Sequence, residues 1–197
     1  MAAQPHGGDS PADADQARSP DPATENQVTA DAFKQIFRRH PAGVSVITLN
    51  NADGEPVGFT ATSVISVSAA PPSVAFSLAA TSRSWPAIAR CESLVINFLT
   101  VDQADISLRF AATDIDRFAA GGWSRLETGE PVLDDSHAWL RARVARRIPV
   151  GSSFLIILDV LQTEVRSDDL PLIYHDRGHH TLHGTREHRP GSPGTTR

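Results

Sequence analysis

One cysteine, one methionine and one tyrosine in 197 residues already bound what this chain can be. Cys91 has no second thiol to meet, which excludes an intrachain disulfide and a thiolate metal cluster and leads us to expect a reducing cytoplasm. Lysine is as scarce: Lys34 stands alone, so the positive charge is nearly all arginine. With 18 basic against 23 acidic residues, the net charge of −5 lacks the positive footprint that nucleic acid requires. No run approaches the roughly 20 apolar residues that span a bilayer. The N-terminus, Met1-Ala2-Ala3-Gln4-Pro5-His6, has no charged region followed by an apolar one, so neither secretion nor membrane insertion is expected. Gly-x-Gly-x-x-Gly after a strand is also missing, which disfavours a Rossmann route to a dinucleotide.

What is present suits one compact domain. Hydrophobic residues make up 40% of the chain, enough for a core at this length. Residues 1–28 are rich in Ala, Asp, Pro, Gln and Ser, and residues 185–197 have no aliphatic side chain. Such segments bury too little apolar surface to offset their ordering entropy, so we expect a disordered leader and a disordered tail around a folded unit at 29–184. No repeat with a period of 20–50 residues is visible.

The folded stretch opens with helical spacing. Phe33, Ile36 and Phe37 fall at i, i+3 and i+4, Thr29 or Asp31 can cap the start, and Pro41 and Gly43 end it. The period then changes to two. Segments 44–49, 62–68, 73–78, 94–99, 138–146, 153–165 and 170–174 read as strands, with turn chemistry at 50–54 before the chain resumes at Val57. Short helices are read at 84–90, with Ser84 as cap, and at 103–112, where Ile106 and Phe110 share a face. The strands follow one another too closely for βαβ crossovers. The expected fold is therefore mainly β, a closed or partly closed antiparallel barrel with a few short helices.

Two stretches carry chemistry. Gly58-Phe59-Thr60-Ala61-Thr62-Ser63, followed by Ser66 and Ser68, crowds small and hydroxylated residues where bulky ones are usual. An edge strand facing water has that composition. So has a strand whose backbone lies against a flat ligand while its hydroxyls bond the ligand's polar edge. Thr81-Ser82-Arg83-Ser84 joins hydroxyls and a cation to a helix start, the chemistry of a phosphate site and equally of an ordinary capped helix.

The stretch Gly58-Phe59-Thr60-Ala61-Thr62-Ser63-Val64-Ile65-Ser66-Val67-Ser68-Ala69-Ala70-Pro71-Pro72-Ser73-Val74 resembles the signature of the flavin reductase family, the small partners of two-component flavin monooxygenases. The likeness continues through Thr81-Ser82-Arg83-Ser84-Trp85-Pro86, Val95-Ile96-Asn97-Phe98-Leu99, Leu108-Arg109-Phe110-Ala111 and Asp116-Arg117-Phe118. Gly129-Glu130-Pro131-Val132-Leu133, Ala138-Trp139-Leu140 and Pro171-Leu172-Ile173-Tyr174-His175-Asp176 complete it in order, over about residues 31–183. The resemblance implies an FMN-binding split β-barrel, homodimeric, with FMN or FAD at the interface. The flavin ring and ribityl chain would lie along Thr60, Ala61, Thr62 and Ser63 and near Ser77 and Leu78. The phosphate would sit by Ser82, Arg83 and Ser84, and Phe110 would lie near the cofactor pocket or simply in the core. The implied activity is that of an NAD(P)H:flavin oxidoreductase, moving a hydride from NADH or NADPH to flavin N5 and supplying reduced flavin to a flavin-dependent monooxygenase. Such a reaction needs two rings held at near-attack distance more than an acid or base, so none is assigned.

The chain departs from the family at Ser153, and at Asp159, where the family often has Glu. Many members carry Gly-Asp-His where this sequence reads Gly151-Ser152-Ser153, and that histidine belongs to the nicotinamide side of the pocket. His175 and His180 are the candidates to replace it. A metal site built from His175, His179, His180 and His183 is not expected, because Gly178 interrupts the run and Asp176 is the only carboxylate nearby. Asp159, amid Leu155-Ile156-Ile157-Leu158, is expected to meet an arginine from a neighbouring strand. Two alternatives stay open: a flavin carrier or sensor without NAD(P)H turnover, which Ser153 favours, and a split-barrel oxidase related to the pyridoxamine-phosphate oxidases.

Overall fold

The computed structural model describes residues 28–182. The tail expected at 185–197, nearly all of the leader expected at 1–28, and His183 lie outside the described residues. Helix α1 (Ala30–Arg38) starts where the sequence indicates: the Thr29 hydroxyl accepts from the Ala32 N–H at 3.2 Å, with Asp31 in the first turn and Arg38 in the last. Strands β1 (Ala42–Gly43), β2 (Ser45–Asn50) and β3 (Pro56–Ala61) follow. The turn between β2 and β3 is tied by Asn51, whose Oδ1 accepts from the N–H groups of Asp53 and Glu55, and Gly54 supplies a φ of 81°.

Residues 62–68 are not one strand. The chain leaves β3 at Ala61 and starts β4 (Ile65–Ala69) only at Ile65, and β5 (Pro72–Ala79) pairs back on it. Strands β3 and β4 are the two outer members of a seven-stranded antiparallel sheet. Laid flat, seven strands would hold those edges about 29 Å apart. The link from Ala61 to Ile65 reaches at most about 14 Å. The sheet must therefore curl until its edges nearly meet, which is a split barrel. A continuous run of β-formers hides this crossing, because Thr62, Ser63 and Val64 have strand-like composition yet lie outside both strands.

Helix α2 (Trp85–Ile88), β6 (Ser93–Phe98), a 3-10 turn (Val101–Gln103), α3 (Ala104–Ala111), β7 (Trp123–Arg125) and β8 (Pro131–Leu133) come next. Two long strands, β9 (Ala138–Val150) and β10 (Ser153–Val165), form the hairpin that completes the barrel, and the short β11 (Ile173–His175) and β12 (Gly178–His180) close the chain. The barrel sheet runs β3-β2-β6-β9-β10-β5-β4, and β1-β11-β12 forms a second small sheet. The sequence did not signal β7, β8 or β12, each only three residues long.

Among the described residues the buried apolar side chains form three clusters, the smallest of them Val95, Val132 and Trp139. Ile47, Leu49, Phe59, Phe76, Leu94, Ile96, Ile156 and Leu158 fill the barrel. Val44, Val46, Leu99, Phe110, Phe118, Leu133 and Leu172 pack α3 and its loop against the outside of β2. Asp159 pairs with Arg143 directly across the β9–β10 ladder at 3.0 Å. It is not the costly buried carboxylate the apolar run suggested, since its side chain is 45% exposed. The buried carboxylate is Glu130, between β7 and β8, which meets Arg141 at 2.6 Å and accepts from the hydroxyls of Ser93 and Thr128.

Candidate functional site

Two cavities flank the ends of β3. The larger, about 760 Å³, is walled by Phe33 and Phe37 of α1, Ile65 of β4, Ser77 of β5, the 62–63 corner and the turn after β11. It brings Thr62, Ser63, Ser77 and His175 together from three separate parts of the chain. The Ser63 hydroxyl donates to the Ser77 carbonyl and accepts from the Ser77 N–H, both at 3.1 Å. It thus clamps the corner to β5 where the two barrel edges approach. The Thr60 hydroxyl donates to the Ser107 carbonyl at 2.6 Å and pins β3 to α3. Both hydroxyls are structural within the chain. Ala61 and Leu78 are 7% and 9% exposed and face the barrel core, so only their backbone can meet a ligand. Thr62 and Ser77 are the exposed polar side chains among these candidates.

The smaller cavity, about 380 Å³, lies at the other end of β3 against Pro56, Val57 and Gly58. Arg83, Ser84 and the 114–118 loop complete its wall. Ser84 opens α2 without a side-chain capping bond; its own N–H is met instead by the Ser82 hydroxyl at 3.2 Å. Ser84 itself is 4% exposed. Arg83 reaches Asp114 at 2.5 Å. Arg117 donates from Nε and Nη2 to the Ala112 carbonyl and from Nη1 to that of Gly58. Burial, and then the nearby charge of Arg83, push the Arg117 guanidinium below its ordinary value. Two cations, Arg83 and Arg117, and two carboxylates, Asp114 and Asp116, therefore line one cavity.

Phe110 faces neither cavity. It is 1% exposed, meets Phe118 edge-on at 5.1 Å, and lies directly under Gly58. Within this chain the Phe110 ring is enclosed by its packing neighbours. Of the two histidine candidates, His175 borders the larger cavity, whereas His180 is exposed and meets the His175 carbonyl through Nε2 at 3.1 Å. His179 turns inward to the Ser107 hydroxyl at 3.0 Å. Among the described residues, no group of three or more His, Cys, Asp or Glu is arranged to hold a metal ion. Ser153 is half-buried at the start of β10, opposite Ala79 and Val150.

Sequence reasoning missed Asp114, whose partner Arg83 lies 31 residues earlier, and passed over the cation of Arg117 within Asp116-Arg117-Phe118. It also took the Phe33–Phe37 stripe only as a helix signal, although α1 buries none of its residues and lends this stripe to the larger cavity. Cavities of 300–1,000 Å³ with apolar walls and a few convergent polar groups suit a flat cofactor. The cation pair suits a phosphate.

A family model described as "Flavin reductase like domain" matches residues 37–183. The "NADH:FMN oxidoreductase" of Rhodococcus qingshengii is 44% identical over 160 residues, which is 79% of this chain and 83% of that one. "Flavin-dependent monooxygenase, reductase subunit HsaB" of Mycobacterium tuberculosis is 34% identical over 130 residues, 66% of this chain and 69% of the relative. Among solved structures, the flavin reductase domain protein of Arthrobacter sp. FB24 superposes with a TM-score of 0.76 at 36% identity, covering 80% of this chain and 98% of that one. The chain belongs to the flavin reductase family, and its barrel is that family's fold.

Proposed function

We propose that this chain is an NAD(P)H:flavin oxidoreductase that reduces FMN or FAD and supplies the product to a partner flavin-dependent monooxygenase. The observation that carries the reading is the layout along β3, with Arg83 and Arg117 beside Asp114 and Asp116 at its start, and past its end a groove walled by Phe33, Phe37 and Ile65 together with Lys34, Arg38 and Arg177. That order matches a ligand with a phosphate at one end and a flat ring at the other. When bound, the flavin supplies the redox chemistry by accepting a hydride from the nicotinamide. The chain's own residues bind and orient. Thr62, Ser77 and the backbone at 60–63 and 77–78 hold the ring side, while Ser82, Arg83 and Ser84, backed by Arg117, hold the phosphate. Phe33 and Phe37 shield the groove from water.

The exposed face of α1 supports a homodimer. Phe33, Ile36 and Phe37 are 55%, 66% and 57% exposed, and Ile65 and Val67 on the neighbouring edge strand are 57% and 54% exposed. A contiguous apolar surface of this kind is what a second copy covers. The domain we assign runs over 29–184. The electron source this reading requires is found in the cytoplasm, and among the described residues no helix is long and apolar enough to cross a membrane.

The decisive test is anaerobic mixing of protein and FMN or FAD with NADH and then NADPH, following loss of the visible flavin absorbance. Bleaching with either donor is expected. Bound flavin that stays yellow with both would favour the carrier reading to which Ser153 points. For the nicotinamide side we assign His175 over His180, because only His175 borders the groove. His175→Ala should raise the KM for NADH about fivefold, the worth of one ordinary contact, with the Kd for FMN unchanged. An equal effect from His180→Ala, or no effect from either, would remove this assignment.

A further inference from the structure

The cavity of Arg83 and Arg117 already holds two carboxylates, Asp114 and Asp116. Arg83, just before α2, reaches across to Asp114 in the loop after α3, with Nη1 2.5 Å from Oδ1. Both side chains face solvent, 66% and 74% exposed. An exposed pair of this kind holds by no more than about fivefold in equilibrium terms, so a better anion can break it. The two arginines are not equivalent. Arg117 gives three donors to the backbone carbonyls of Ala112 and Gly58 and is fixed by the fold. Among the described residues Arg83 has the Asp114 carboxylate as its side-chain partner, and it holds that carboxylate below the usual carboxylate range. The mobile cation of the pocket is therefore matched to a carboxylate supplied by the same chain.

We propose that Asp114 competes with the flavin phosphate for Arg83 and so keeps flavin exchangeable, a substrate that enters and leaves rather than a permanently held group. The proposal rests on the assignment of the 82–84 patch as the phosphate subsite. Two arrangements are open to Arg83, and both lead the same way. If it turns to the phosphate, the ion pair is lost. If it bridges both groups, two anions face one another across one guanidinium. Either arrangement opposes the phosphate and leaves the ring and ribityl chain untouched. Release on this scale suits a reductase whose product must reach a separate oxygenase.

Asp114 has a φ of 64°, a region in which Asp and Asn are both tolerated. Asp114→Asn therefore removes the charge without disturbing the loop. The experiment titrates wild type, Asp114→Asn and Arg83→Gln with FMN and with riboflavin, which carries the same ring and chain but no phosphate, at low ionic strength. Asp114→Asn should tighten FMN about twofold to fivefold and leave riboflavin unchanged. Arg83→Gln should weaken FMN alone. If Arg83→Gln weakens FMN while Asp114→Asn leaves its affinity unaltered, the phosphate subsite stands and the competition is overturned. If neither variant separates FMN from riboflavin, the subsite and the competition fall together. Equal tightening of both ligands by Asp114→Asn would also overturn the proposal, since the effect would not act on the phosphate.

Discussion

Glu130→Ala is expected to lower folding stability by about 3–5 kcal/mol, the usual result of removing one member of a buried ion pair and leaving the other charge uncompensated. The Glu130 side chain is 5% exposed and its partner Arg141 is 19% exposed, 2.6 Å away. Ser93 and Thr128 donate their hydroxyls to the same carboxylate, so alanine would strand two further donors. Burial pushes this carboxyl up, but the hydrogen bonds from Ser93, Thr128, the backbone and Arg141 outweigh it and leave the group below its ordinary value. A carboxyl depressed by folding adds stability that is full above its unfolded pKa and is lost as pH falls through the folded one. The gap between wild type and variant in urea unfolding should therefore be constant near neutral pH and close on acidification below about 4. A gap under 1 kcal/mol at pH 7, or one that does not change with pH, would show that the network carries no net stability.

Glu130 also marks where the sequence stops being readable. In Gly129-Glu130-Pro131 a carboxylate beside two turn residues looks solvated. Its burial depends on Ser93 and Arg141, brought close only when β6 pairs with β9. The same limit explains the 62–68 error. Thr62 and Ser63 have strand-like composition, and nothing local tells them that they bridge opposite edges of a sheet. Features set by short spacing were legible: the cap and stripe of α1, the turn after β2, and the long strands β9 and β10. At the candidate site the resemblance named segments that line the two cavities. It could not say which side chains stay free once the fold has used them. Thr60 and Ser63 read as ligand hydroxyls, yet each is bonded to a backbone carbonyl, because the barrel edge there needs fastening before it can hold anything.

Phe110 tests that distinction between packing and binding, and Phe110→Ala is expected to cost about 3–5 kcal/mol of stability, as large-to-small changes of buried aromatics do. The ring fills the space that Gly58 leaves. A Cβ on Gly58 would stand 2.6 Å from Phe110 Cε1, 2.9 Å from Cδ1 and 3.2 Å from the Ile47 carbonyl oxygen. Gly58→Ala should therefore lose about 1–3 kcal/mol by overpacking. The two changes should couple. With the ring removed, alanine at Gly58 has only the Ile47 oxygen to avoid, so the double variant should be more stable than the sum of the single losses predicts, by about 1 kcal/mol. Phe110→Leu separates packing from binding, since it keeps most of the volume and discards the aromatic face. A modest stability loss with unchanged FMN affinity is expected. If Phe110→Leu instead weakened FMN while leaving stability intact, the ring would have to reach the cofactor, and the packing assignment made from its 1% exposure would fail.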